Sequence, residues 1–293
     1  MRTENLKGYI FAAIAAAAYG TNPIFAVPLY MEGMNPNSVL FFRYLLSLPF
    51  LAAMIAVTRT SFRLERRQII PCIVLGILMA LSSLLLFESY RYMSVGVAST
   101  LLFVYPIMVA VLMILFFHER FRLSVGVCLI LMSVGLALLM NIGSDNSVNL
   151  YGCMLVMLSA LSYALYMIMV NESSPIRGIP AVLLLFYVVV FGVMVFLLKS
   201  ATGTPLTLPA TGWGWANLIA LAIIPTVISF GLTTRALQLI GSTPTAILGA
   251  LEPVSAVLLG VIVLGQGLSL RECAGGALIL LATLIVVANG ARK

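Results

Sequence analysis

Charged residues are scarce in this chain. Lysine, arginine, aspartate and glutamate together make up 9% of the 293 residues, and 62% are hydrophobic. A typical soluble domain has about 25% charged residues. Apolar runs of about 18 to 22 residues recur from end to end, and each can cross a hydrocarbon core of roughly 30 Å. The scarcity of charge excludes an ordinary soluble protein and predicts an all-α integral membrane protein.

The motifs of enzymes and metal sites are also missing. The four cysteines lie in or beside apolar runs and show no CxxC spacing, so neither a disulfide framework nor a metal site is indicated. There is one histidine, no HExxH sequence, no carboxylate pair suited to hydrolysis, and no GxxxxGK[ST] loop to hold nucleotide phosphates. We therefore expect no catalytic residue, no metal, no cofactor and no enzymatic activity.

Interruptions by charge, Pro, Gly and Asn divide the chain into ten predicted spans. The stretch after Arg2 and Lys7 lacks a convincing small-residue cleavage site, so the sequence predicts a retained first span rather than a signal peptide. The third-to-fourth and eighth-to-ninth connections are the least distinct. The predicted spans are 8–29, 37–57, 69–88, 94–117, 123–141, 150–170, 180–198, 213–234, 243–264 and 270–289.

The basic residues are distributed unevenly among the connections. Arg91, Lys199 and Arg271 fall on one side of the membrane, and Arg43 lies within a span. The positive-inside rule then predicts a cell (inner, cytoplasmic) membrane protein with both termini in the cytoplasm. Since the formal net charge of +7 mainly reports this orientation, we expect no nucleic acid partner. The other side holds Arg2, Lys7, Arg59, Arg63, Arg66, Arg67, Arg120, Arg122, Arg177, Arg235, Arg292 and Lys293.

The chain also carries a weak internal repeat. A shift of 144 residues superimposes Tyr19 on Tyr163, and a shift of 147 superimposes Pro106 on Pro253. Since a five-span unit has an odd number of crossings, its second copy enters the membrane the opposite way round. We expect two inverted five-helix repeats, residues 1–141 and 150–293. Inverted repeats are typical of secondary transporters, with the substrate site near the midplane.

Several stretches resemble one transporter family. They are "FAAIAAAAYGTNPIF", "NPNSVLFFRYLL", "YRYMSVGVASTLLFVYPIMVAVLMILFFHERFRL" and "ALQLIGSTPTAILGALEPVSAVLLGVIVLGQGLSL". In order and spacing, they resemble the ten-span EamA-type members of the drug/metabolite transporter superfamily over essentially the whole chain. The sequence departs from the family pattern at Gln266, where an acid often follows the span, as Glu119 does in the first half.

The resemblance implies a transporter of small organic solutes such as amino acids, commonly by export and without ATP hydrolysis. We therefore expect a secondary transporter that works by alternating access around a central cavity, with a small-molecule substrate, protons as a candidate coupling ion and a monomeric or homodimeric state in the lipid bilayer. The alternatives are a nucleotide-sugar or phosphorylated-sugar carrier, a cationic-drug antiporter, and a non-transporting sensor or scaffold. Arg43 alone is too little central positive charge for a phosphorylated substrate.

Glu252 is a lone carboxylate in the ninth predicted span, "ILGALEPVSAVLLGVIVL". Its neighbours on one helix face, among them Thr245, Gly249 and Ser255, are small or polar, so this face should point into the protein rather than at lipid. Because desolvation disfavours a charged carboxylate, Glu252 is a candidate for binding substrate or for binding and releasing a proton. The alternative is a structural acid, either neutral or paired with Arg43.

Other polar residues within the spans complete the predicted substrate-binding or coupling set. For Arg43 the alternatives are snorkelling to the interface, pairing with a carboxylate, or binding a substrate carboxylate. Close helix packing is the alternative role for the rest, which are Asn22, Tyr19, Tyr163 and Tyr105.

Four prolines within spans are predicted to bend their helices, because proline lacks an N–H and frees a carbonyl one turn earlier. Such carbonyls are tolerated where they line a cavity or meet neighbouring helices. Packing kinks without a functional role are the alternative. The four are Pro106, Pro253, Pro225 and Pro23.

Overall fold

The computed structural model describes residues 2–93, 95–120, 122–139, 149–264 and 269–291, and these ranges contain helices and connections but no strand. The helices are α1 (Arg2–Tyr19), α2 (Asn22–Met31), α3 (Pro36–Val57), α4 (Arg66–Ser89), α5 (Val95–Leu102), α6 (Tyr105–Phe117), α7 (Leu123–Leu139), α8 (Leu150–Glu172), α9 (Ala181–Ala201), α10 (Gly212–Leu221), α11 (Ser229–Ile240), α12 (Ser242–Gly249), α13 (Leu251–Leu264) and α14 (Leu270–Ala291), with a π-helical segment, Ala222–Ile228, between α10 and α11.

The predicted all-α membrane fold is confirmed. In the described ranges, 9 helical stretches are long and apolar enough to cross a membrane, and a shorter apolar helix covers Leu123–Leu139. Each predicted span corresponds to one of these ten, although residue 94 of the fourth span, residues 140 and 141 of the fifth and Gln266 lie outside the described residues. The eighth continues beyond its predicted end at 234 to Ile240, where the Gln238 side chain donates a hydrogen bond to the Ile179 carbonyl at 2.9 Å.

The helices pair in a regular way. α4 packs along α8, and α1 packs along α11. Under the predicted repeat these two contacts are equivalent, since α4 corresponds to the eighth span and α8 to the first. Two further extensive pairs, α3 with α9 and α7 with α14, each join a span to its own counterpart, and α4 also packs against α9. This is the pairing expected when two halves are related by a two-fold axis.

Four of the ten spans are interrupted near a proline. Pro23 and Pro106 lie in the first turns of α2 and α6, Pro253 lies in the first turn of α13, and Pro225 lies inside the π-helical segment. Proline cannot donate to the carbonyl four residues before it, which weakens the helix at that point. The predicted bend residues therefore lie at places where the chain leaves regular α-helix.

Candidate functional site

All four interrupted spans contribute residues to a central cavity of about 70 Å³. The carbonyls that lose their helical donor to Pro23, Pro106 and Pro253 belong to Tyr19, Leu102 and Gly249, because each lies four residues earlier. All three of these residues line the cavity. The helix breaks thus lie around one space, and a membrane protein tolerates irregular backbone where it lines a cavity.

The broken helices contact one another directly. A Cβ atom at Gly20, where α1 ends, would lie 2.8 Å from the Glu252 carbonyl oxygen, so only glycine allows this approach to α13. A Cβ atom at Gly249, where α12 ends, would overlap the Tyr105 hydroxyl. That hydroxyl donates a hydrogen bond to the Ala246 carbonyl at 3.3 Å. Close packing therefore holds the first, fourth and ninth spans together at their breaks.

Glu252 lies in the first turn of α13, with its side chain at the cavity. It is the one charged side chain among the described residues that line this space. Within the described ranges it forms no ion pair, since no cationic nitrogen lies within 4.0 Å of its carboxylate. The amino-terminal end of a helix favours negative charge, which partly offsets the loss of water around an ionised carboxylate. This position leaves the carboxyl group available to a proton or a cationic ligand.

Aromatic rings form much of the cavity wall. Tyr105 meets Tyr163 edge to face, with ring centroids 4.8 Å apart. Tyr19 stacks on Phe230 at 5.7 Å. Tyr19, Tyr105 and Tyr163, which the sequence nominated separately, therefore lie around one space with Glu252. Such rings offer flat apolar surfaces and π faces to a ligand.

Arg43 lies beside the cavity, and its side chain is not among those that line it. Its guanidinium group is 5.5 Å from the Tyr19 ring centroid and 5.3 Å from that of Phe230. The residue is 2% exposed, and its group donates to neutral oxygens of Asn22, Thr226 and Pro225 at 3.4, 2.8 and 3.4 Å. Asn22 is thereby engaged with Arg43 rather than aimed at the cavity.

The π-helical segment explains how Arg43 is held. Pro225 removes the donor from the Leu221 carbonyl, and the Thr226 hydroxyl donates to that carbonyl at 2.9 Å. The same hydroxyl oxygen accepts the hydrogen bond from the Arg43 side chain. One threonine therefore satisfies the freed carbonyl and fixes the guanidinium group.

Sequence reasoning missed several hydroxyl groups of the cavity wall. Ser82 and Ser83 lie in the second half of α4, and Ser229 and Thr233 lie on α11. Ser229 donates to the Ala15 carbonyl at 2.8 Å, while Ser82 accepts from Ser159 of α8 through its backbone carbonyl at 2.6 Å. The two adjacent serines of "ALSSLLL" could have indicated this part of the cavity wall, because they place two hydroxyl groups side by side within an apolar span.

A larger cavity, about 510 Å³, opens at the end of the bundle that carries both termini. Asn5 of α1 and Asn289 of α14 line it together with Glu119. The Glu119 carboxylate accepts a hydrogen bond from the Thr243 hydroxyl at 2.9 Å, which ties the α6–α7 connection to the first turn of α12. Tyr9 of α1 and Ile247 of α12 line this vestibule about one turn away from residues of the central cavity.

The opposite end of the bundle is tied together by Glu32, which follows α2. Its carboxylate accepts hydrogen bonds from the Thr211 hydroxyl and from the amides of Ala210 and Thr211, at the start of α10. The Thr211 hydroxyl, and secondarily these amides, hold the pKa of Glu32 below its usual value. Nearby, the Asn35 side chain donates to the Pro205 carbonyl at 2.8 Å.

Comparisons with known proteins agree on one family. The sequence model of the EamA-like transporter family matches residues 6–141 and 150–288. The uncharacterized transporter YcbK of Bacillus subtilis is 25% identical over 287 residues, which is 93% of this chain and 90% of the relative. An uncharacterized transporter of Archaeoglobus fulgidus is 28% identical over 201 residues, 65% of this chain and 66% of the relative, so this match spans just under two thirds of its length.

The fold also matches a solved structure. A protein crystal structure superimposes with a TM-score of 0.83 over 97% of this chain and 98% of the other. The two sequences are 15% identical, so this similarity concerns the fold alone.

Proposed function

This chain belongs to the EamA-like transporter family and is a multi-pass membrane transporter; from that premise, we propose that it exports small organic metabolites such as amino acids by secondary transport. The observation that carries the proposal is the cavity where the four interrupted spans meet around the Glu252 carboxyl group. A transporter family favours membrane transport over catalysis as the activity.

Alternating access accounts for the two cavities. Sites for small organic molecules occupy about 300–1,000 Å³, so the central cavity of about 70 Å³ is too small for a metabolite in this conformation. The vestibule of about 510 Å³ is large enough. The distribution of basic residues predicts that both termini lie in the cytoplasm. Because the vestibule opens at the end of the bundle that carries the termini, it would face the cytoplasm. A solute could then enter from the cytoplasm, as export requires.

The repeat supplies the two states of the cycle. We propose that residues 1–141 and 150–293 are inverted halves that exchange conformations, so that the central site opens to each side in turn. The equivalent pairings of α4 with α8 and of α1 with α11 support this organisation. In the other state of the cycle, the vestibule would be closed and the solute would leave through the opposite end of the bundle. In the present conformation, hydrogen bonds between Glu32 and the Thr211 region join the helices at that end.

Glu252 is the proposed coupling group. Its carboxyl group, at the cavity and without an ion pair among the described residues, would bind either a proton or the ammonium group of a substrate. Because both would use the same oxygens, protonation would release a bound amine. Arg43 would act indirectly, by fixing Tyr19 and the π-helical segment that form part of the wall.

An organic-cation antiporter is the second candidate. Glu252 gives the described cavity wall a negative charge, and Tyr19 and Phe230 present aromatic faces of the kind that attract cations. A substrate with a positive charge and no carboxylate would satisfy these groups without needing Arg43, whose donors are already engaged.

Transport by purified protein in proteoliposomes tests the proposal. Vesicles are loaded with a panel of amino acids, nucleosides and organic cations, and flux is measured with and without a proton gradient. We expect gradient-stimulated flux of amine-containing solutes, and Glu252→Gln should lower it by at least about tenfold, because the neutral amide cannot exchange a proton.

The matched control for this experiment is Glu4→Gln, which removes a carboxylate outside the cavity lining. It should transport like the wild-type protein. Equal flux and equal pH dependence of Glu252→Gln and wild type would remove Glu252 from the mechanism. An absence of solute-dependent flux across the panel would instead favour a scaffold or sensor.

A further inference from the structure

Four arginines surround the turn between α3 and α4. Arg59, Arg63, Arg66 and Arg67 are all exposed. The turn contains one acid, Glu65, and the Arg67 side chain donates to its carboxylate at 2.6 Å. Within the described ranges the other three guanidinium groups form no hydrogen bond or ion pair. The turn therefore presents three unneutralised guanidinium groups, which we call the α3–α4 arginine cluster (Arg59, Arg63 and Arg66).

The backbone that carries the cluster is ordered by packing. The Phe62 ring meets Phe186 of α9 edge to face at 5.6 Å. The Tyr187 hydroxyl donates to the Phe62 carbonyl at 2.6 Å. Glu65 and Gln68 form a reciprocal cap at the start of α4. The guanidinium groups consequently extend from a fixed turn, which reduces the ordering needed when a ligand binds.

The turn lies at the edge of the apolar region. Val57, at the end of α3, is 83% exposed, and Ile70, in the first part of α4, is 71% exposed, as expected of side chains that face lipid. Arg59 follows Val57 by two residues. Arg66 precedes Ile70 by one helical turn, about 6 Å along the axis. This position corresponds to the level of lipid headgroups rather than to bulk water.

Helix stability does not explain the position of these charges. Cations are unfavourable in the first turn of a helix, where the macrodipole is positive, yet α4 begins with Arg66 and Arg67 and has no acid in its first turn. At the other end of the bundle, two of the three basic residues have partners: Arg91 pairs with Glu88 at 2.8 Å, and Arg271 donates to the Ala137 carbonyl at 3.1 Å. An external anion would complete the α3–α4 arginine cluster in the same way.

We propose that the α3–α4 arginine cluster is a binding site for the phosphate headgroup of anionic phospholipids. Guanidinium groups form paired hydrogen bonds with phosphate oxygens. Basic residues beside a membrane span attract anionic lipid headgroups, and each contributes about fivefold in affinity. Val57, Ile70 and the half-exposed Phe62 supply the adjacent apolar surface for the acyl chains. The site does not depend on which solute the protein transports.

The test measures thermal unfolding of the full-length protein in neutral detergent micelles, during titration with short-chain phosphatidylglycerol, phosphatidylcholine or inorganic phosphate. Phosphatidylglycerol should raise the melting temperature of the wild-type protein, and the other two should not. The variant Arg59→Gln/Arg63→Gln/Arg66→Gln should need at least about tenfold more phosphatidylglycerol for the same shift.

A matched variant separates a local site from overall charge. Arg120→Gln/Arg177→Gln/Lys199→Gln removes the same charge from exposed positions elsewhere and should respond like the wild-type protein. If both triple variants lose the response equally, or if the wild-type protein responds equally to all three additives, the proposal is wrong. If the cluster variant does not fold, Arg59→Lys/Arg63→Lys/Arg66→Lys, which keeps the charge, must retain most of the phosphatidylglycerol shift.

Discussion

The contact between Gly249 and Tyr105 can be tested without knowing the substrate. An alanine Cβ at position 249 would overlap the Tyr105 hydroxyl and lie 3.2 Å from its ring carbon Cζ. The ring has little freedom to move, because it packs edge to face on Tyr163 at 4.8 Å and its hydroxyl donates to the Ala246 carbonyl. Gly249→Ala must therefore displace either the tyrosine ring or the end of α12.

The size of the effect follows from overpacking. An extra methyl group in a close-packed site costs about 1–3 kcal/mol. Alanine is preferred to glycine within helices by up to about 1 kcal/mol, which offsets part of this penalty. We expect Gly249→Ala to lower the free energy of unfolding by about 1–2 kcal/mol. Tyr105→Phe removes the overlapping oxygen together with one hydrogen bond, and it should lower the free energy of unfolding by about 0.5–1.5 kcal/mol.

The double variant Gly249→Ala/Tyr105→Phe should be more stable than the sum of the two single changes predicts, by about 1 kcal/mol or more, because the overlap is absent. Unfolding midpoints in detergent, measured for all four proteins of the cycle, provide the coupling energy. Gly212→Ala is the control, since a Cβ there meets no atom within 4 Å. Additivity within about 0.5 kcal/mol, or equal stability of Gly249→Ala and Gly212→Ala, would refute the reasoning.

Two further predictions concern the polar contacts beside the cavity and at the end of the bundle. Arg43→Lys keeps the charge but loses the side-chain Nε–H that bonds to Thr226, so we expect the free energy of unfolding to fall by about 1.5–3 kcal/mol. Thr226→Val should cost less in this background than in the wild-type protein, because the Arg43 bond is already absent and only the bond to the Leu221 carbonyl remains to be lost. The pKa of Glu32 is lower in the folded protein than in the unfolded chain. The ionised carboxylate therefore stabilises the fold at pH values above its unfolded-state pKa, and this stabilisation disappears as pH falls through its folded-state pKa. As pH is lowered below about 5, the melting temperature of the wild-type protein should therefore fall more steeply than that of Glu32→Gln. Parallel plots of melting temperature against pH for the two proteins would contradict a stabilising role for the ionised Glu32 carboxylate.

Much of the membrane fold could be predicted from single residues and run lengths. Apolar length locates the spans because the hydrocarbon core has a fixed thickness. The positions of proline predicted the helix interruptions less reliably. Pro23 and Pro106 begin new helices, whereas Pro49 and Pro71 lie inside the continuous helices α3 and α4. A proline removes one donor wherever it occurs, and the packing around the freed carbonyl decides whether the helix separates.

The site was less accessible to prediction than the fold. The small, polar neighbours of Glu252 indicated an inward face, and its side chain does line the central cavity. The environment of Arg43 was not predictable, because its partners belong to the π-helical segment and to α2. Ser82 meets the cavity only because α4 packs along α8. Helix periodicity specifies the face of one helix but not the partner that covers it.

The two halves contribute different chemistry at equivalent places. Tyr105 immediately precedes Pro106, and Glu252 immediately precedes Pro253. Both side chains line the same cavity. On the proposed mechanism, the halves exchange shapes during a cycle, but only the second half brings a carboxyl group to the described cavity wall. One acid can neutralise one charge, so this site would couple each crossing of an amine-bearing solute to a single proton moving in the opposite direction.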